Sequence, residues 1–200
     1  MMTKLPVMEH FYTLQGEGAY TGYPAYFIRL AGCDVGCIWC DVKESWAVKE
    51  EQWREIAEIS ELAANSGTKI VVITGGEPAM YDLTLLTQML HQKGIRTHIE
   101  TSGSHPLRGD FDWVCLSPKK FLKPREEVYA FANELKIIIY NAHDFTWAKK
   151  EAAKCPATTQ LFLQAEWSKK TQYYPNIVSF ILENPNWRMS VQTHKYLDIP

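Results

Sequence analysis

Three cysteines lie within one short window of the 200-residue chain, Cys33, Cys37 and Cys40, with the spacing C-x₃-C-x₂-C. Three thiolates this close together can bind three irons of a cubane [4Fe–4S] cluster, which leaves the fourth iron without a protein ligand. An open iron can bind a small molecule and pass an electron to it. The spacing therefore predicts a cluster that acts as a reagent as well as an electron carrier.

A structural zinc site is the alternative for the same residues. Structural zinc takes four ligands, usually from two pairs of cysteine or histidine residues. Cys37 and Cys40 form one C-x₂-C pair, but Cys115 and Cys155 are isolated and no H-x₃₋₅-H motif occurs. The ligand count favours the iron–sulfur cluster and leaves a zinc site completed by a distant histidine open. Cys115 and Cys155 are interpreted as structural.

The composition limits the class of protein. The chain is 46% hydrophobic and 22% charged, which is typical of a soluble globular chain, and its length favours a single domain over residues 1–200. A net charge of −2 provides no basic field for direct nucleic-acid binding. No apolar run is long enough to span a membrane or to form a signal peptide. Five cysteines, an odd number, argue against a secreted disulfide framework, so we expect a cytoplasmic protein.

Strand-like apolar runs alternate with helical patterns along the chain. We predict strands over residues 25–30, 69–74, 95–100, 113–116, 135–139, 160–164 and 187–192, and helices over 52–65, 83–93, 126–133, 144–154 and 177–183. Such alternation is typical of parallel β/α units. A closed eight-fold barrel typically needs about 250 residues. The pattern therefore predicts an α/β fold with an open, partial parallel barrel and trimmed helices.

Polar residues follow four of these strands, where the active sites of β/α barrels lie. Each group alone is compatible with an ordinary turn. Together they indicate one ligand site at the carboxyl ends of the strands. The groups are Gly75-Gly76-Glu77-Pro78, Glu100-Thr101-Ser102-Gly103, Ser117-Pro118-Lys119 and Gln164.

The cysteine motif followed by Gly-Gly-Glu-Pro resembles the radical S-adenosylmethionine (SAM) superfamily, whose members bind a [4Fe–4S] cluster and SAM. Residues 11–18 and 187–200 are similar, within it, to the 7-carboxy-7-deazaguanine synthases of queuosine and 7-deazapurine biosynthesis. That family converts 6-carboxy-5,6,7,8-tetrahydropterin to 7-carboxy-7-deazaguanine with loss of ammonia. The resemblance covers nearly the whole chain. It implies that a reduced cluster cleaves SAM and that the resulting radical takes hydrogen from the substrate.

The resemblance also implies roles for individual residues and segments. It implies a substrate-binding segment over residues 8–24, a cluster loop over 31–42 and a tail over 190–200 that closes the site. The implied cluster ligands are Cys33, Cys37 and Cys40. The implied SAM contacts are Gly75, Gly76, Glu77, Ser117, Pro118, Lys119 and Gln164. The implied substrate contacts are Leu14, Gln15, Gly16, Glu17, Arg29, Thr74, His194 and the carboxylate of Pro200.

One position departs from the family pattern. The family usually has a threonine two residues after the last cluster cysteine, where it binds a Mg²⁺ that also binds the substrate. This chain has Val42 there, preceded by Asp41. Mg²⁺ requires oxygen ligands, and valine offers none from its side chain. Asp41, a backbone carbonyl or water could take its place, or the enzyme works without the metal.

The resemblance implies two partners besides the pterin substrate, a flavodoxin or ferredoxin as electron donor and a second copy of the chain in a homodimer. One alternative function is a radical SAM activase that generates a glycyl radical on a partner protein. Another, from a different class, is a zinc-stabilised binding module without catalytic activity.

Overall fold

Nine strands form one sheet in the computed structural model, which describes residues 2–200. The order across the sheet is β3-β1-β2-β4-β5-β6-β7-β8-β9. The strands are β1 (Lys4–Leu14), β2 (Pro24–Leu30), β3 (Trp53–Glu55), β4 (Ile70–Gly75), β5 (Arg96–Thr101), β6 (Trp113–Leu116), β7 (Glu134–Ile139), β8 (Gln160–Ala165) and β9 (Trp187–Ser190).

Five α-helices accompany the sheet within residues 2–200. They are α1 (Ile56–Asn65), α2 (Thr84–Gln92), α3 (His143–Ala152), α4 (Lys170–Glu183) and α5 (Thr193–Leu197). The chain between β5 and β6 has no helix, and the connection from β6 to β7 has only the 3₁₀ segment Glu126–Phe131. β3 and β9 are the two edges of the sheet, so the barrel is not closed within the described part of the chain. The predicted partial barrel with trimmed helices is confirmed.

All seven predicted strands are present and pair in parallel, from β2 through β4 to β9. The two strands that the sequence did not predict, β1 and β3, are antiparallel additions beyond β2. β3 also corrects the predicted helix over residues 52–65, which begins only at Ile56. Trp53, expected on the apolar stripe of that helix, pairs with Pro6 instead and is 41% exposed. Aromatic residues are favoured in strands, so helical periodicity alone assigned Trp53 to the wrong element.

Two other helix predictions need correction, and one helix was missed. Residues 126–133 form a 3₁₀ segment over Glu126–Phe131 rather than an α-helix. The helix expected from residue 177 begins at Lys170 and continues through Pro175, whose missing N–H removes one helical hydrogen bond. The short terminal helix α5 was not predicted. No helix within residues 2–200 combines the length and apolar character that a membrane crossing requires.

The two faces of the sheet have different roles, and β7 shows the division. Leu135, Ile137 and Ile139 are fully buried in an apolar cluster to which residues of α3 and α4 contribute. Successive side chains of a strand point to opposite faces, so Lys136 and Ile138 lie on the other face. That face carries the polar cavity described below. The helices thus cover one face of the sheet, and the other face presents the functional side chains.

Candidate active site

A cavity of about 440 Å³ lies where the carboxyl ends of the parallel strands meet the cysteine loop. It brings together nearly all of the predicted site residues. All three predicted cluster cysteines and all eight predicted substrate contacts line it. Of the predicted SAM contacts, only Pro118 is outside the lining. The predicted residues in the lining are Leu14, Gln15, Gly16, Glu17, Arg29, Cys33, Cys37, Cys40, Thr74, Gly75, Gly76, Glu77, Ser117, Lys119, Gln164, His194 and Pro200.

The cysteine loop follows β2 and is held by backbone hydrogen bonds. The N–H of Cys33 donates to the carbonyl of Trp46 at 3.2 Å, and that of Cys40 donates to the carbonyl of Cys37 at 3.1 Å. Burial raises the pKa of the Cys33 thiol, and it raises the pKa of Cys37 to about 11 despite the nearby ammonium of Lys119. Cluster ligands must be thiolates, so ligation at this loop would release protons.

The three cysteines line one cavity, which is the arrangement that the ligands of a cubane cluster need. Within residues 2–200, no three histidine, cysteine or acidic side chains converge on one metal position. A structural zinc ion needs four ligands on one centre. A cubane offers a separate iron to each cysteine, so its ligands need only line a common space, as Cys33, Cys37 and Cys40 do.

The two glycines after β4 let the backbone pass close to the cysteine loop. Gly75 has a φ of 128°, and a Cβ there would overlap the backbone of Leu30. A Cβ on Gly76 would overlap the carbonyl of Gly32, next to Cys33. Only glycine permits this approach, and it forms a cradle beside the cysteines that the methionine part of SAM would fit.

Glu77, the third residue of that motif, is buried and its carboxylate is fully occupied. Oε2 accepts the N–H and the hydroxyl of Ser102 at 2.8 and 2.5 Å. Oε1 accepts the N–H of Ala79 at 3.0 Å and the hydroxyl of Thr101. A carboxylate has about four acceptor sites, so none remains for a ligand. Glu77 therefore joins the ends of β4 and β5, and the glycine segment has backbone groups to offer a ligand.

A network of charged side chains crosses the cavity. Lys136 is buried on β7 and donates to Glu17 and, at 3.2 Å, to Oε2 of Glu100. The side chain of Gln15 donates to Oε1 of Glu100 at 2.9 Å and accepts the N–H of Glu17 at 3.0 Å. Burial alone would raise the pKa of Glu17, but the charge and hydrogen bond of Lys136 outweigh it and hold that pKa at about 2. The carboxylate of Glu17 is thus ionised at neutral pH and faces the cavity.

Lys136 and Glu100 were not among the predicted site residues, although both line the cavity. The sequence does contain a signal for Lys136, because it is a lysine among the apolar residues of the predicted buried strand 135–139. Lysine is almost never fully buried unless it is paired. Glu100 belongs to one of the polar strand ends, but no local pattern indicates its partner.

The C-terminal segment packs against the loop after β1. The carbonyl of Gly16 accepts both the N–H and the hydroxyl of Thr193 at 2.9 Å. A Cβ on Gly16 would overlap the ring of His194, so glycine is required for this contact. The N–H of Ile199 donates to the carbonyl of His194 at 3.2 Å, which keeps the tail and Pro200 at the cavity. Burial lowers the pKa of His194, which favours its neutral form.

Arg29 and Gln164 are each held by one neighbour. Nε of Arg29 donates to Oε1 of Glu9 at 2.6 Å, which leaves its two terminal nitrogens for a ligand. Oε1 of Gln164 accepts the hydroxyl of Ser190 at 2.6 Å, and Ser190 in turn accepts the N–H of Gly18 at 3.0 Å. These contacts fix both side chains before any ligand binds.

The residues present at the family's magnesium position do not fit Mg²⁺. Val42 contributes no side-chain oxygen. Oδ2 of Asp41 accepts the ammonium of Lys195 at 2.7 Å and the amide of Gln192 at 3.4 Å. The ammonium of Lys195 thus lies beside Asp41, where a metal ion would bind, and it supplies the positive charge that the metal would bring.

Comparisons with known proteins identify the family of this chain. The family model of the Radical SAM superfamily matches residues 27–119 of this chain. A 7-carboxy-7-deazaguanine synthase of Flavobacterium psychrophilum is 55% identical over 98% of this chain and 93% of its own. The synthase of a Synechocystis species is 48% identical over 97% of this chain and 93% of its own.

A solved structure supports the same relationship. The crystal structure of QueE from Escherichia coli has a TM-score of 0.85 and 33% identity, and the match covers 94% of each chain. Two of the sequence relatives are near half identical over almost their full length. The chain therefore belongs to the 7-carboxy-7-deazaguanine synthase family of the radical SAM superfamily.

Proposed function

We propose that this protein converts 6-carboxy-5,6,7,8-tetrahydropterin to 7-carboxy-7-deazaguanine with loss of ammonia, in 7-deazapurine and queuosine biosynthesis. The observation that carries the proposal is a single cavity lined both by the three cysteines and by the Glu17–Lys136–Glu100 network. The network is built for a small molecule with several N–H donors. A glycyl-radical activase, which acts on a protein segment, is not favoured by the relatives, which are named as synthases.

The family implies a [4Fe–4S] cluster and SAM, and this chain offers residues for both. Cys33, Cys37 and Cys40 would hold the cluster, and the backbone at Gly75 and Gly76 would face SAM. When bound, the cluster and SAM supply the one-electron chemistry that removes a hydrogen atom from the substrate. Ser117, Lys119 and Gln164 are proposed as further SAM contacts. Pro118 is proposed to position its two neighbours rather than to contact SAM itself.

The substrate's two ends match two parts of the cavity. The guanidine-like edge of a pterin presents N–H donors, which the carbonyls of Leu14 and Gln15 and the ionised carboxylate of Glu17 would accept. Gly16 would line the substrate site, because its carbonyl already accepts two hydrogen bonds from Thr193. Lys136 keeps that carboxylate charged. Arg29 would bind the substrate's carboxylate with its two free nitrogens, because a guanidinium matches a carboxylate bidentately. Thr74, His194 and Pro200 complete the proposed substrate shell.

The remaining expectations are also proposals. The chain is proposed to work as a single domain, to receive electrons from a flavodoxin or ferredoxin, and to form a homodimer. Its location in the cytoplasm stays a prediction.

The test is anaerobic incubation of the reconstituted protein with SAM, dithionite and the carboxytetrahydropterin. We expect 7-carboxy-7-deazaguanine, identified by mass and ultraviolet spectrum, and we expect ammonia in equal amount. Metal analysis of the same sample distinguishes the zinc-stabilised module, which would contain one zinc per chain and no iron. Iron-loaded protein that binds SAM but yields no deazapurine would overturn the proposed reaction while leaving the superfamily assignment intact.

A further inference from the structure

We infer that Lys195 supplies the positive charge on the cluster-loop side of the cavity, and that this protein binds its substrate's carboxylate without a divalent cation. The inference rests on the proposed function, because it concerns the same substrate. It starts from a disagreement between the family's metal position and the residues that this chain has there.

The acidic side chains of the cavity are the groups that could bind Mg²⁺, because it is bound through oxygen and usually through carboxylates. Five acidic residues line the cavity, and each already accepts hydrogen bonds from the protein. The donors are Lys136 for Glu17, Lys195 for Asp41, Ser102 for Glu77, Gln15 and Lys136 for Glu100, and Ser168 for Glu166. A metal bound at any of these carboxylates would compete with the protein donors that are already bound to it.

Val42 and Asp41 lie where the family would anchor the metal. Val42 lines the cavity beside Asp41 and has no side-chain oxygen. Asp41 is the nearest acidic residue in sequence, but its Oδ2 lies 2.7 Å from the ammonium of Lys195. A metal bound there would face that ammonium at close range, and two like charges repel. The position thus suits one cation, and the chain supplies it.

Lys195 is held in place by its helix and by neighbouring side chains. It lies in α5, whose first residue, Thr193, makes two hydrogen bonds to the carbonyl of Gly16. Its ammonium also lies 5.1 Å from the centre of the Trp167 ring. An ammonium has three donors, and Asp41 uses one, so donors remain for an anion in the cavity. An exposed ion pair of this kind contributes little to the free energy of unfolding. We therefore assign to the Lys195–Asp41 pair the role of positioning the ammonium at the cavity.

Binding of the oxidised analogue 6-carboxypterin, compared with pterin, which lacks the carboxylate, tests the inference apart from turnover. The protein is reconstituted and bound to SAM, and magnesium is removed by gel filtration rather than by a chelator that would attack the cluster. We expect the affinity for 6-carboxypterin to be unchanged when Mg²⁺ is added back. The Lys195→Met variant should bind 6-carboxypterin about tenfold more weakly, as expected for one lost charge-assisted hydrogen bond, with little change for pterin.

Two variants provide controls. Lys170 lies 3.6 Å from the same Trp167 ring but does not line the cavity, so Lys170→Met removes a comparable charge and should leave both affinities unchanged. Lys195→Arg keeps the charge and should retain most of the affinity for 6-carboxypterin. Tighter 6-carboxypterin binding on addition of Mg²⁺, or equal effects of Lys195→Met and Lys170→Met, would overturn the inference.

Turnover separates this inference from the proposed function. Product formed at the same rate with and without Mg²⁺ supports both. Product formed only with Mg²⁺ overturns the inference and leaves the function in place. No product under either condition, with intact cluster and SAM binding, overturns the proposed function.

Discussion

Ser102 donates two hydrogen bonds to one oxygen of Glu77, from its backbone N–H at 2.8 Å and from its hydroxyl at 2.5 Å. The contact joins the ends of β4 and β5 directly beneath the cysteine loop, because the N–H of Glu77 itself donates to the carbonyl of Gly32. An acidic residue that the motif suggested as a ligand contact thus holds the motif together.

Replacing Glu77 with glutamine should therefore destabilise the protein before it affects any ligand. The amide nitrogen would face donors, leaving buried hydrogen-bond groups unsatisfied at a cost of about 2 kcal/mol. Urea unfolding measures the change. Glu183 is exposed on α4, so Glu183→Gln should leave the free energy of unfolding unchanged. Equal stability of Glu77→Gln and the parent protein would show that the four contacts contribute nothing.

Replacing Cys37 with alanine should prevent cluster assembly and abolish turnover. A cubane that loses one of its three protein ligands loses its attachment at a second iron. Iron and sulfide content, and the EPR change on addition of SAM, report the result. Cys155 lies outside the cavity, so Cys155→Ala should assemble a full cluster. Full turnover by Cys37→Ala would contradict the ligand assignment.

The seven parallel strands were predictable from the sequence, because some of them, such as β4 and β7, contain apolar runs typical of buried parallel strands, and β5 shows strand-like alternation. The long first strand was not, because it is antiparallel and partly exposed, and its partner β2 follows only after a turn. Its residues alternate too irregularly to indicate a strand. The fold class therefore followed from the strands that carry the site, and the errors lie at the sheet edge and at helix ends.

The site was predictable as a set of residues but not as a set of contacts. All predicted site residues except Pro118 line the cavity, since the carboxyl ends of parallel strands share one edge of the sheet. The pairing of Lys136 with Glu17 and Glu100 joins residues far apart in the chain. Such pairs leave no local pattern, and only the folded sheet brings them together.

Removing Pro200 should raise the KM for the pterin and leave SAM binding intact. Pro200 lines the cavity, and its neighbour Ile199 is held by the carbonyl of His194. Deletion would withdraw one side of the proposed substrate shell without touching the cysteine loop. Steady-state kinetics and a separate SAM titration measure the two effects. An unchanged KM would place the tail outside the substrate site.

His98 should make the protein sensitive to mild acid. Burial, assisted by the charge of Arg96, lowers the pKa of its ring from 6.5 to about 4, and Nε2 has no hydrogen-bond partner among the described residues. Since the unfolded chain takes up this proton first, stability is complete above pH 6.5 and is lost as the pH falls towards 4. The loss is on the order of 3 kcal/mol.

His98→Phe should flatten that pH dependence, because phenylalanine cannot be protonated and still packs against Tyr20, whose ring centre lies 4.4 Å away. Unfolding experiments on cluster-free protein at several pH values provide the measurement. His143 is exposed, so His143→Gln should retain the acid sensitivity of the parent protein. A parent protein whose stability is constant from pH 6.5 to 4 would refute the burial argument.

Lys136 is the residue whose loss should have the largest effect, because it is the shared cation of two carboxylates. Lys136→Met removes it and leaves Glu17 and Glu100 without a charged partner. Breaking a buried pair in this way costs roughly 3–5 kcal/mol. Lys93 forms an exposed pair with Glu61, so Lys93→Met should cost less than about 1 kcal/mol.

The pH dependence identifies the cause of that loss. In the parent protein the pKa of Glu17 is lowered from 4.5 to about 2, so its contribution is present above pH 4.5 and is lost as the pH falls towards 2. Without Lys136, burial dominates and the pKa of Glu17 rises above 4.5, so the variant takes up the proton earlier. The stability difference between the two proteins should therefore shrink below pH 4.5. A deficit that stays constant over this range would mean that lost packing, not the unpaired carboxylate, destabilises the variant.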